Sequence, residues 1–330
     1  MEFVTLGTSN VKVTRIIFGA WAIGGWMWGG ADRKDAIKAI HKSLDLGISS
    51  IDTAPVYGFG LSEEIVGEAI KGLRTEVQIL TKYGLVWDRK IGDFYFSTFN
   101  NDGKPVSIYK HAGKESIIHE CEQSLSRLKT DYLDLYQIHW PAPSTPIEET
   151  MDAMNRLIKD GKIRSAGVCN YSVEEMEVAE TTINLVSNQV PYSMVRRDIE
   201  NDLIPWCMKH HKSILAYSPL QRGLLTGKFR TGQHFVPGDT RPDTPWFKGK
   251  NLVKTNKFLE EIKPLAISKN FTVAQLVLRW TMQMPGITTV LAGARNARQV
   301  EENAGAFNFT LTEKEMCEIN LKLDRLELEL

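Results

Sequence analysis

The chain has 330 residues, of which 42% are hydrophobic and 24% are charged. This length accommodates one large α/β barrel or two ordinary domains, and we expect a single domain spanning residues 1–330. Forty Lys and Arg residues balance forty Asp and Glu residues, so the formal net charge is +0. A global field that would hold nucleic acid or an anionic membrane is thereby excluded, and we expect neither as a partner.

The cysteine pattern indicates a reducing compartment. The four cysteines are Cys121, Cys169, Cys207 and Cys317. None has the close pairing that a zinc site requires, and no secretory leader precedes them, so we expect a cytoplasmic protein. The uncharged segment 16–31 imitates a membrane span, but a spanning helix needs roughly 20 apolar residues. Because this segment is shorter and rich in glycine, we interpret it as a strand leading into a tryptophan-rich loop.

Apolar runs typical of strands alternate along the chain with amphipathic stretches typical of helices. The strand candidates are, in chain order, RIIFGA, GISSIDT, VQILTK, LDLYQIHW, IRSAGVCN, NLVSNQV, SILAYSPL and TTVLAGA. The helical patterns begin near Asp32, Ser62, Gly113, Ile147, Ser172, Asn201, Leu252 and Asn296. Eight strand-then-helix units in series predict a protein of the α/β class with a (β/α)₈ TIM barrel. The main alternative is a doubly wound open sheet, which normally shows G-x-G-x-x-G after its first strand, and that motif is absent from the sequence.

Two connections are much longer than the others, residues 85–112 after the third strand and residues 221–251 after the seventh. Both rise from the C-terminal rim of the predicted barrel, where active sites of this fold lie. Their aromatic residues include Trp87, Phe94, Tyr95, Phe96, Phe235, Trp246 and Phe247. These side chains predict walls or lids over a pocket, and the alternative is that they pack the loops onto the barrel.

Ionisable side chains interrupt the apolar runs where three successive strands end. Asp52 ends the second strand, Lys82 the third and His139 the fourth, and Tyr57 follows Asp52 on the next loop. Each residue has a structural alternative: a turn residue, a lysine reaching solvent, or a hydrogen-bonded histidine above the core. Because barrel strands end at one rim, we expect the four side chains to meet.

A charged lysine beside a phenol stabilises the phenolate and lowers a pKa that is about 10 when unperturbed. We therefore expect Lys82 to lower the pKa of Tyr57 and Asp52 to keep Lys82 charged. Tyr57 would then be a proton donor near neutral pH.

The chain resembles the aldo-keto reductase family over nearly its whole length. The matching segments are DTAPVYGFGLSEEIVGEAI, ILTKYG, LDLYQIHWP, GKIRSAGVCN, LAYSPLQRGLLTGK and AGARNARQVEEN. The segments GAWAIGGWMWGG and HWPAPSTPIEET are similar to a bacterial branch that contains general-stress and sugar-metabolism reductases. The resemblance implies reduction of small aldehydes or ketones to alcohols with NADPH, preferred over NADH, and no metal. The reverse reaction and sugar-type or aromatic substrates are also compatible with it.

Position by position, the resemblance makes Tyr57 the general acid and Lys82 the residue that tunes it. His139 then orients the carbonyl oxygen, and Asp52 supports the lysine beside the cofactor. For the nicotinamide, it implies carboxamide contacts from Asn170 and Gln189 and ring stacking on Tyr217. Cys169 replaces the serine common beside that asparagine, and a thiol is a weak donor.

The resemblance also assigns further cofactor and substrate contacts. The residues after the first strand are Ala20 and Trp21. The pyrophosphate loop and its continuation supply Ser218, Leu220, Arg222, Gly223, Leu224, Lys228 and Arg241. The adenine, ribose and 2′-phosphate side is formed by Gly293, Ala294, Arg295, Gln299, Glu302 and Asn303. Substrate walls are expected from Trp21, Trp28, Trp87 and Trp140, with Trp26 as a further candidate.

Two other functional classes compete with a reductase. A regulatory protein of the same fold would bind the cofactor with little turnover, and the complete set of four rim residues argues against it. A barrel hydrolase would need two carboxylates at strand ends, and only Asp52 is placed for that role. The physiological substrate, the working direction and self-association are left open by the sequence.

Overall fold

A closed barrel of eight parallel strands forms the centre of the protein in a computed structural model that describes residues 2–330. The barrel strands are β1 (Ile16–Gly19), β2 (Ser50–Asp52), β3 (Gln78–Tyr83), β4 (Leu135–Ile138), β5 (Ala166–Cys169), β6 (Ser187–Pro191), β7 (Ser213–Tyr217) and β8 (Ile287–Gly293). Each strand pairs with its neighbours in chain order, and β8 pairs with β1. The predicted (β/α)₈ barrel and its strands are confirmed.

Ten helices surround the barrel in the described part of the chain. They are α1 (Arg33–Asp45), α2 (Leu61–Ala69), α3 (Lys114–Leu128), α4 (Ile147–Lys159), α5 (Val173–Glu180), α6 (Leu203–Lys209), α7 (Gly249–Ser268), α8 (Val273–Gln283), α9 (Ala297–Ala304) and α10 (Glu313–Leu323). Asp32, Ser172 and Asn296 accept hydrogen bonds from the first turns of α1, α5 and α9, because these short polar side chains satisfy free N–H groups there. None of these helices is long and apolar enough to cross a membrane.

The stretch before β8 contains two helices where the sequence analysis predicted one. The second, α8, begins with a capping box in which Thr272 and Gln275 bind each other's backbone N–H groups. In addition, α7 begins at Gly249 rather than near Leu252.

The lower end of the barrel is closed by an antiparallel hairpin that the sequence analysis did not predict. Its strands are Phe3–Thr5 and Lys12–Thr14. Buried side chains of this hairpin and of the barrel interior form one apolar cluster, Leu6, Val11, Val13, Ile17, Leu80, Leu135, Val186, Leu215 and Leu291. The polar residues of the interior lie above it, toward the opposite rim.

The first long connection, residues 85–112, contains a second hairpin. Asp93–Phe99 pairs with Pro105–Lys110, which also pairs with the short strand Leu85–Val86. This hairpin leans on the loop after β1, since Trp26 Nε1 donates to Thr98 Oγ1 at 3.2 Å and Asn101 Nδ2 donates to the Gly24 carbonyl at 2.9 Å.

The second long connection, residues 221–251, forms three short 3₁₀ turns rather than a lid of free loops. They span Gln221–Thr226, Arg241–Asp243 and Pro245–Phe247. Its aromatic side chains Phe235, Trp246 and Phe247 pack in a small apolar cluster with Leu224 and Leu252. For these three aromatic residues the packing alternative is therefore correct.

Candidate active site

Four ionisable side chains meet at the upper rim of the barrel. Asp52 is the last residue of β2 and Lys82 lies at the end of β3, while His139 directly follows β4. The Lys82 Nζ atom lies 2.5 Å from Asp52 Oδ1 and donates to the Thr53 carbonyl at 2.9 Å. The Lys82 Nζ atom also lies 5.1 Å from the centroid of the Tyr57 ring. The ring centroids of Tyr57 and His139 are 5.6 Å apart.

The ion pair between Lys82 and Asp52 is almost completely shielded from water, with side-chain exposures of 1% and 2%. Burial lowers the pKa of Lys82, but the charge and hydrogen bond of Asp52, together with Tyr57 and Cys169, outweigh burial and raise the pKa above its ordinary value. Lys82 is therefore charged at neutral pH, as the sequence predicted.

Burial raises the pKa of the Tyr57 phenol to about 12, although the charge of Lys82 acts in the opposite direction. The predicted net lowering of this pKa is wrong, because the cost of placing a phenolate in a buried site exceeds the stabilisation by the lysine. Tyr57 is consequently fully protonated at neutral pH. The pKa of His139 lies well below its ordinary value, since burial and the charge of Lys82 both oppose a second positive charge. The imidazole is therefore neutral.

A cavity of about 620 Å³ opens at this rim. Besides Asp52, Tyr57 and His139, the predicted residues that line it are Ala20, Trp21, Trp26, Trp28, Trp140, Asn170, Gln189, Tyr217, Ser218, Leu220, Arg222, Gly223, Lys228, Arg241, Gly293, Ala294, Arg295, Gln299, Glu302 and Asn303. Tyr95 and Phe96 of the hairpin also line it, as a wall. Met27, Leu85 and Phe229 also line the cavity, although none was predicted to do so. Met27 and Phe229 adjoin the predicted residues Trp28 and Lys228, which is their only sequence signal.

Two predicted contact residues lie away from the cavity lining. Leu224 is fully buried in the cluster with Phe247 and Leu252, so its side chain serves the packing of the second long connection. Trp87 directly follows the short strand Leu85–Val86, which pairs with the hairpin. Its ring packs against Phe59, with 5.7 Å between the ring centroids. The expectation that Trp87 is a substrate wall is corrected accordingly, and the exposed Phe94 forms no wall either.

Asn170 and Gln189 have defined partners on the side of the cavity formed by β5 and β6. Asn170 Nδ2 donates to the His139 carbonyl at 3.0 Å, and Asn170 Oδ1 accepts from the Tyr217 hydroxyl at 3.0 Å. Gln189 Nε2 donates to Asp52 Oδ2 at 2.8 Å. Burial raises the pKa of the neighbouring Cys169 thiol, so this residue is an uncharged thiol in the cavity wall.

The two arginines expected near the pyrophosphate have partners within the protein. Arg222 donates through Nη2 to the Met27 carbonyl at 2.9 Å and lies 5.1 Å and 4.9 Å from the ring centroids of Trp21 and Trp28. Its Nε is buried without a partner among the described residues. Arg241 forms an ion pair with Asp239 at 2.5 Å. The Arg222 contacts join the loop after β1 to the loop after β7 across the rim, whereas the Arg241–Asp239 pair lies within the second long connection.

At the far end of the cavity, α9 begins directly beyond β8. The Gln299 side chain accepts from the Arg295 backbone N–H at 2.8 Å, and Lys228 pairs with Glu302 at 2.9 Å. Asn303 Nδ2 donates to the Gly293 carbonyl at 3.2 Å. The Arg295 guanidinium pairs with no carboxylate of residues 2–330, which leaves it available for an anion.

Comparisons with known proteins place this chain in a family. Residues 15–324 match the model of the aldo/keto reductase family. Aldo-keto reductase YhdN of Bacillus subtilis is 39% identical over 98% of this chain and 94% of its own length. An NADH-specific methylglyoxal reductase of Escherichia coli is also 39% identical, over 95% of each chain.

Solved structures agree with the sequence relatives. Glycerol dehydrogenase AKR11B4 from Gluconobacter oxydans has a TM-score of 0.88 and 36% identity, covering 98% of this chain and 95% of its own. An aldo/keto reductase from Klebsiella pneumoniae in complex with NADP and acetate has a TM-score of 0.73 and 31% identity, covering 99% of each chain.

The fold, the rim and these similarities define a barrel oxidoreductase. The chain belongs to the aldo/keto reductase family, which confirms the resemblance found in the sequence.

Proposed function

We propose that this oxidoreductase uses NADPH in preference to NADH to reduce the carbonyl of small aldehydes or ketones to an alcohol. The observation that carries the proposal is that a protonated Tyr57 and a neutral His139 line one cavity, with the charged Lys82 buried 5.1 Å from the centroid of the Tyr57 ring. Acceptance of a hydride by a carbonyl carbon leaves an alkoxide, and such a site supplies the proton and the positive potential that the alkoxide requires.

Each rim residue has a separate task in this mechanism. Tyr57 donates its hydroxyl proton to the substrate oxygen as negative charge develops there. Lys82, held by Asp52, stabilises the phenolate that results, and His139 orients the substrate oxygen as a neutral hydrogen-bonding group. The bound nicotinamide would supply the hydride.

The described residues fit a dinucleotide along one side of the cavity. The unpartnered Arg222 Nε and the free guanidinium of Arg295 are suited to anionic groups. Around Arg222 the chain turns sharply, since Ser218, Arg222 and Gly223 have positive φ angles of 55°, 55° and 93°. Within this turn the Gly223 N–H donates to the Leu220 carbonyl at 2.9 Å, so the arginine side chains are the groups offered to a phosphate. The Tyr217 ring at the end of β7 offers a flat surface for the nicotinamide.

The preference for NADPH rests on Arg295 at the start of α9, where a guanidinium and a helix N-terminus both favour a 2′-phosphate. The Escherichia coli relative described as NADH-specific shows that similar chains differ in this property. The preference is therefore tested directly. Arg295→Ala should raise the Kd for NADPH by about 10- to 100-fold, which corresponds to the loss of hydrogen bonds to a charged group, and should change the Kd for NADH little.

Arg298→Ala is the matched control, because this exposed arginine in the first turn of α9 lies outside the cavity lining. It should leave both dissociation constants near their wild-type values. Equal losses for the two cofactors in Arg295→Ala would contradict the role in 2′-phosphate recognition.

The substrate side of the cavity favours small carbonyl compounds that pack against aromatic rings. Trp21 and Trp28 meet edge to face with 5.4 Å between ring centroids, and Tyr95 lies 5.9 Å from Trp140. Aromatic walls of this kind accept sugar-type and aromatic aldehydes alike. The relatives described as a methylglyoxal reductase and a glycerol dehydrogenase support small substrates and either direction of reaction.

The activity is tested by following the loss of reduced nicotinamide absorbance with NADPH and a panel of small aldehydes. Tyr57→Phe should lower kcat by about 10²- to 10⁴-fold, the usual contribution of a general acid, while cofactor affinity changes little. Tyr109→Phe, on the outer hairpin against Phe94, is the control and should retain activity. Equal turnover by wild type and Tyr57→Phe would refute the assigned acid.

A regulatory protein with little turnover is the second candidate. It is favoured by one observation, a relative from Arabidopsis thaliana described as a probable voltage-gated potassium channel subunit beta, 32% identical over 93% of this chain. Tight NADPH binding without consumption across the aldehyde panel would support this candidate instead.

A further inference from the structure

Gln137 is a polar residue of the barrel interior for which the mechanism above has no role. It lies in β4 with 0% exposure, two residues before His139. In the strand register it stands between Lys82 of β3 and Gly167 of β5. Its amide is therefore held in the interior, immediately below the cavity floor, where an amide without partners is unfavourable.

Gly167 has no side chain, and this leaves room for the Gln137 side chain to cross β5. A Cβ atom at Gly167 would lie 3.2 Å from Gln137 Cγ and 2.6 Å from Ser187 Oγ. Because that atom is absent, Gln137 extends across β5 and brings its Oε1 to 3.4 Å from Gln189 Nε2 of β6. Two amides that belong to strands separated by a third strand are thus in contact.

The Asp52 carboxylate and this contact together determine which way the Gln189 amide faces. The Asp52 carboxylate only accepts hydrogen bonds, so Gln189 must turn its Nε2 toward Asp52 Oδ2, at 2.8 Å. The second hydrogen on Nε2 then faces Gln137 Oε1. Both hydrogens of the Gln189 amide are therefore directed into the barrel. Its Oε1 has no partner among residues 2–330, and Gln189 is one of the residues that line the cavity. If the Gln189 amide were reversed, its Oε1 would face two other acceptors, Asp52 Oδ2 and Gln137 Oε1.

We propose that Gln137 is a positioning residue: it holds the Gln189 amide so that Gln189 supports Asp52 and presents its Oε1 to the carboxamide N–H of the bound nicotinamide. Side-chain contacts thereby run from Lys82 through Asp52 and Gln189 to Gln137, and they link cofactor orientation to the residues that support Tyr57. This inference rests on the proposed function, because it assumes that a nicotinamide binds in this cavity.

The test compares NADP⁺ with its 3-acetylpyridine analogue, in which an acetyl group replaces the carboxamide and no N–H remains. Quenching of tryptophan fluorescence gives the Kd of each ligand without any turnover. Wild type should bind NADP⁺ about five- to tenfold more tightly than the analogue, the effect of one hydrogen bond. Gln137→Met, which fills the space but lacks the amide, should reduce this ratio to below about twofold.

Catalysis supplies a second readout. With NADPH deuterated at the transferred position, Gln137→Met should show a lower kcat and a larger isotope effect than wild type, since a poorly oriented nicotinamide makes hydride transfer the slow step. Gln137→Asn keeps an amide but is one methylene too short to reach Gln189. It should behave like Gln137→Met, and it serves as the test if the methionine variant does not fold.

Ser187→Ala is the matched control, because Ser187 Oγ, like Gln137 Nε2, is buried without a partner in the described chain, and Ser187 makes no hydrogen bond to Gln189. It should keep the wild-type ligand ratio and isotope effect. A Gln137→Met protein with a lower Tm but an unchanged ligand ratio and isotope effect would show a purely structural role and overturn the inference. If wild type binds neither ligand and consumes no NADPH, the proposed function fails as well. An active wild type whose variants keep the ratio refutes this inference alone.

Discussion

Removal of the Lys82 charge tests the electrostatic arrangement of the site most directly. Lys82→Met keeps most of the side-chain volume but leaves the Asp52 carboxylate, 2% exposed, without the ammonium that lies 2.5 Å away. Breaking a buried ion pair by removal of one partner typically costs about 3–5 kcal/mol, because an uncompensated charge stays buried. The Lys82 hydrogen bond to the Thr53 carbonyl is lost at the same time.

This cost is large enough to measure by thermal unfolding. At roughly 2.1 cal/mol/K per residue, a chain of 330 residues has an unfolding entropy of about 0.7 kcal/mol/K. We therefore expect Lys82→Met to lower Tm by about 4–7 °C. The double variant Lys82→Met, Asp52→Asn removes both charges and should be about 2 kcal/mol more stable than Lys82→Met alone. Both should be inactive in carbonyl reduction.

A surface pair provides the control. Lys263 and Glu260 lie 2.9 Å apart on α7 with side-chain exposures of 46% and 62%. Solvent screens such a pair, so Lys263→Met should change the free energy of unfolding by less than about 1 kcal/mol. A Tm for Lys82→Met within about 1 °C of wild type, or a double variant no more stable than Lys82→Met, would refute the reasoning.

Three further predictions concern pH and packing. The pKa of folded His139 lies below its ordinary value of 6.5, so the contribution of the neutral imidazole to stability is complete above pH 6.5 and is lost as the pH falls. Between pH 7 and 5 the Tm of wild type should therefore fall more than the Tm of His139→Gln. Burial raises the pKa of Glu120 from 4.5 to about 7, so the contribution of its protonated form to stability is complete below pH 4.5 and is lost as the pH rises through 7. Between pH 6 and 8 the Tm of wild type should fall relative to that of Glu120→Gln, and parallel curves of Tm against pH would contradict this. A Cβ at Gly24 would lie 2.6 Å from the Tyr57 carbonyl oxygen, so Gly24→Ala should cost about 1–3 kcal/mol in stability and raise KM for the carbonyl substrate. Wild-type stability and KM would show that the loops after β1 and β2 separate freely.

Local patterns were sufficient for the barrel and for the positions of its rim residues. Apolar runs mark the strands, and Asp52, Lys82 and His139 stand out because each ionisable group ends such a run. Some elements were missed although a signal existed. The hairpin of residues 93–110 has the Asn101–Gly103 turn between two alternating segments, and Thr272 with Gln275 marks the start of α8.

Contacts between distant segments were not accessible in the same way. Arg222 matched a pyrophosphate position by resemblance, but its hydrogen bond to the Met27 carbonyl joins residues 195 apart in the sequence. Gln137 stood inside a recognised segment without any sign of its role, because its partner Gln189 is reached only across the side-chain-free Gly167.

By itself the sequence determined which residues end the strands, and hence which ionisable groups the rim presents, because strand formation and capping depend on neighbouring residues. Only the tertiary structure decided the balance of forces among those groups. Barrel closure removes water from the site, and this loss of solvation raises the pKa of Tyr57 despite Lys82, keeps His139 neutral and gives the Lys82–Asp52 pair its strength. Desolvation depends on every segment that covers the site, so no local pattern encodes it.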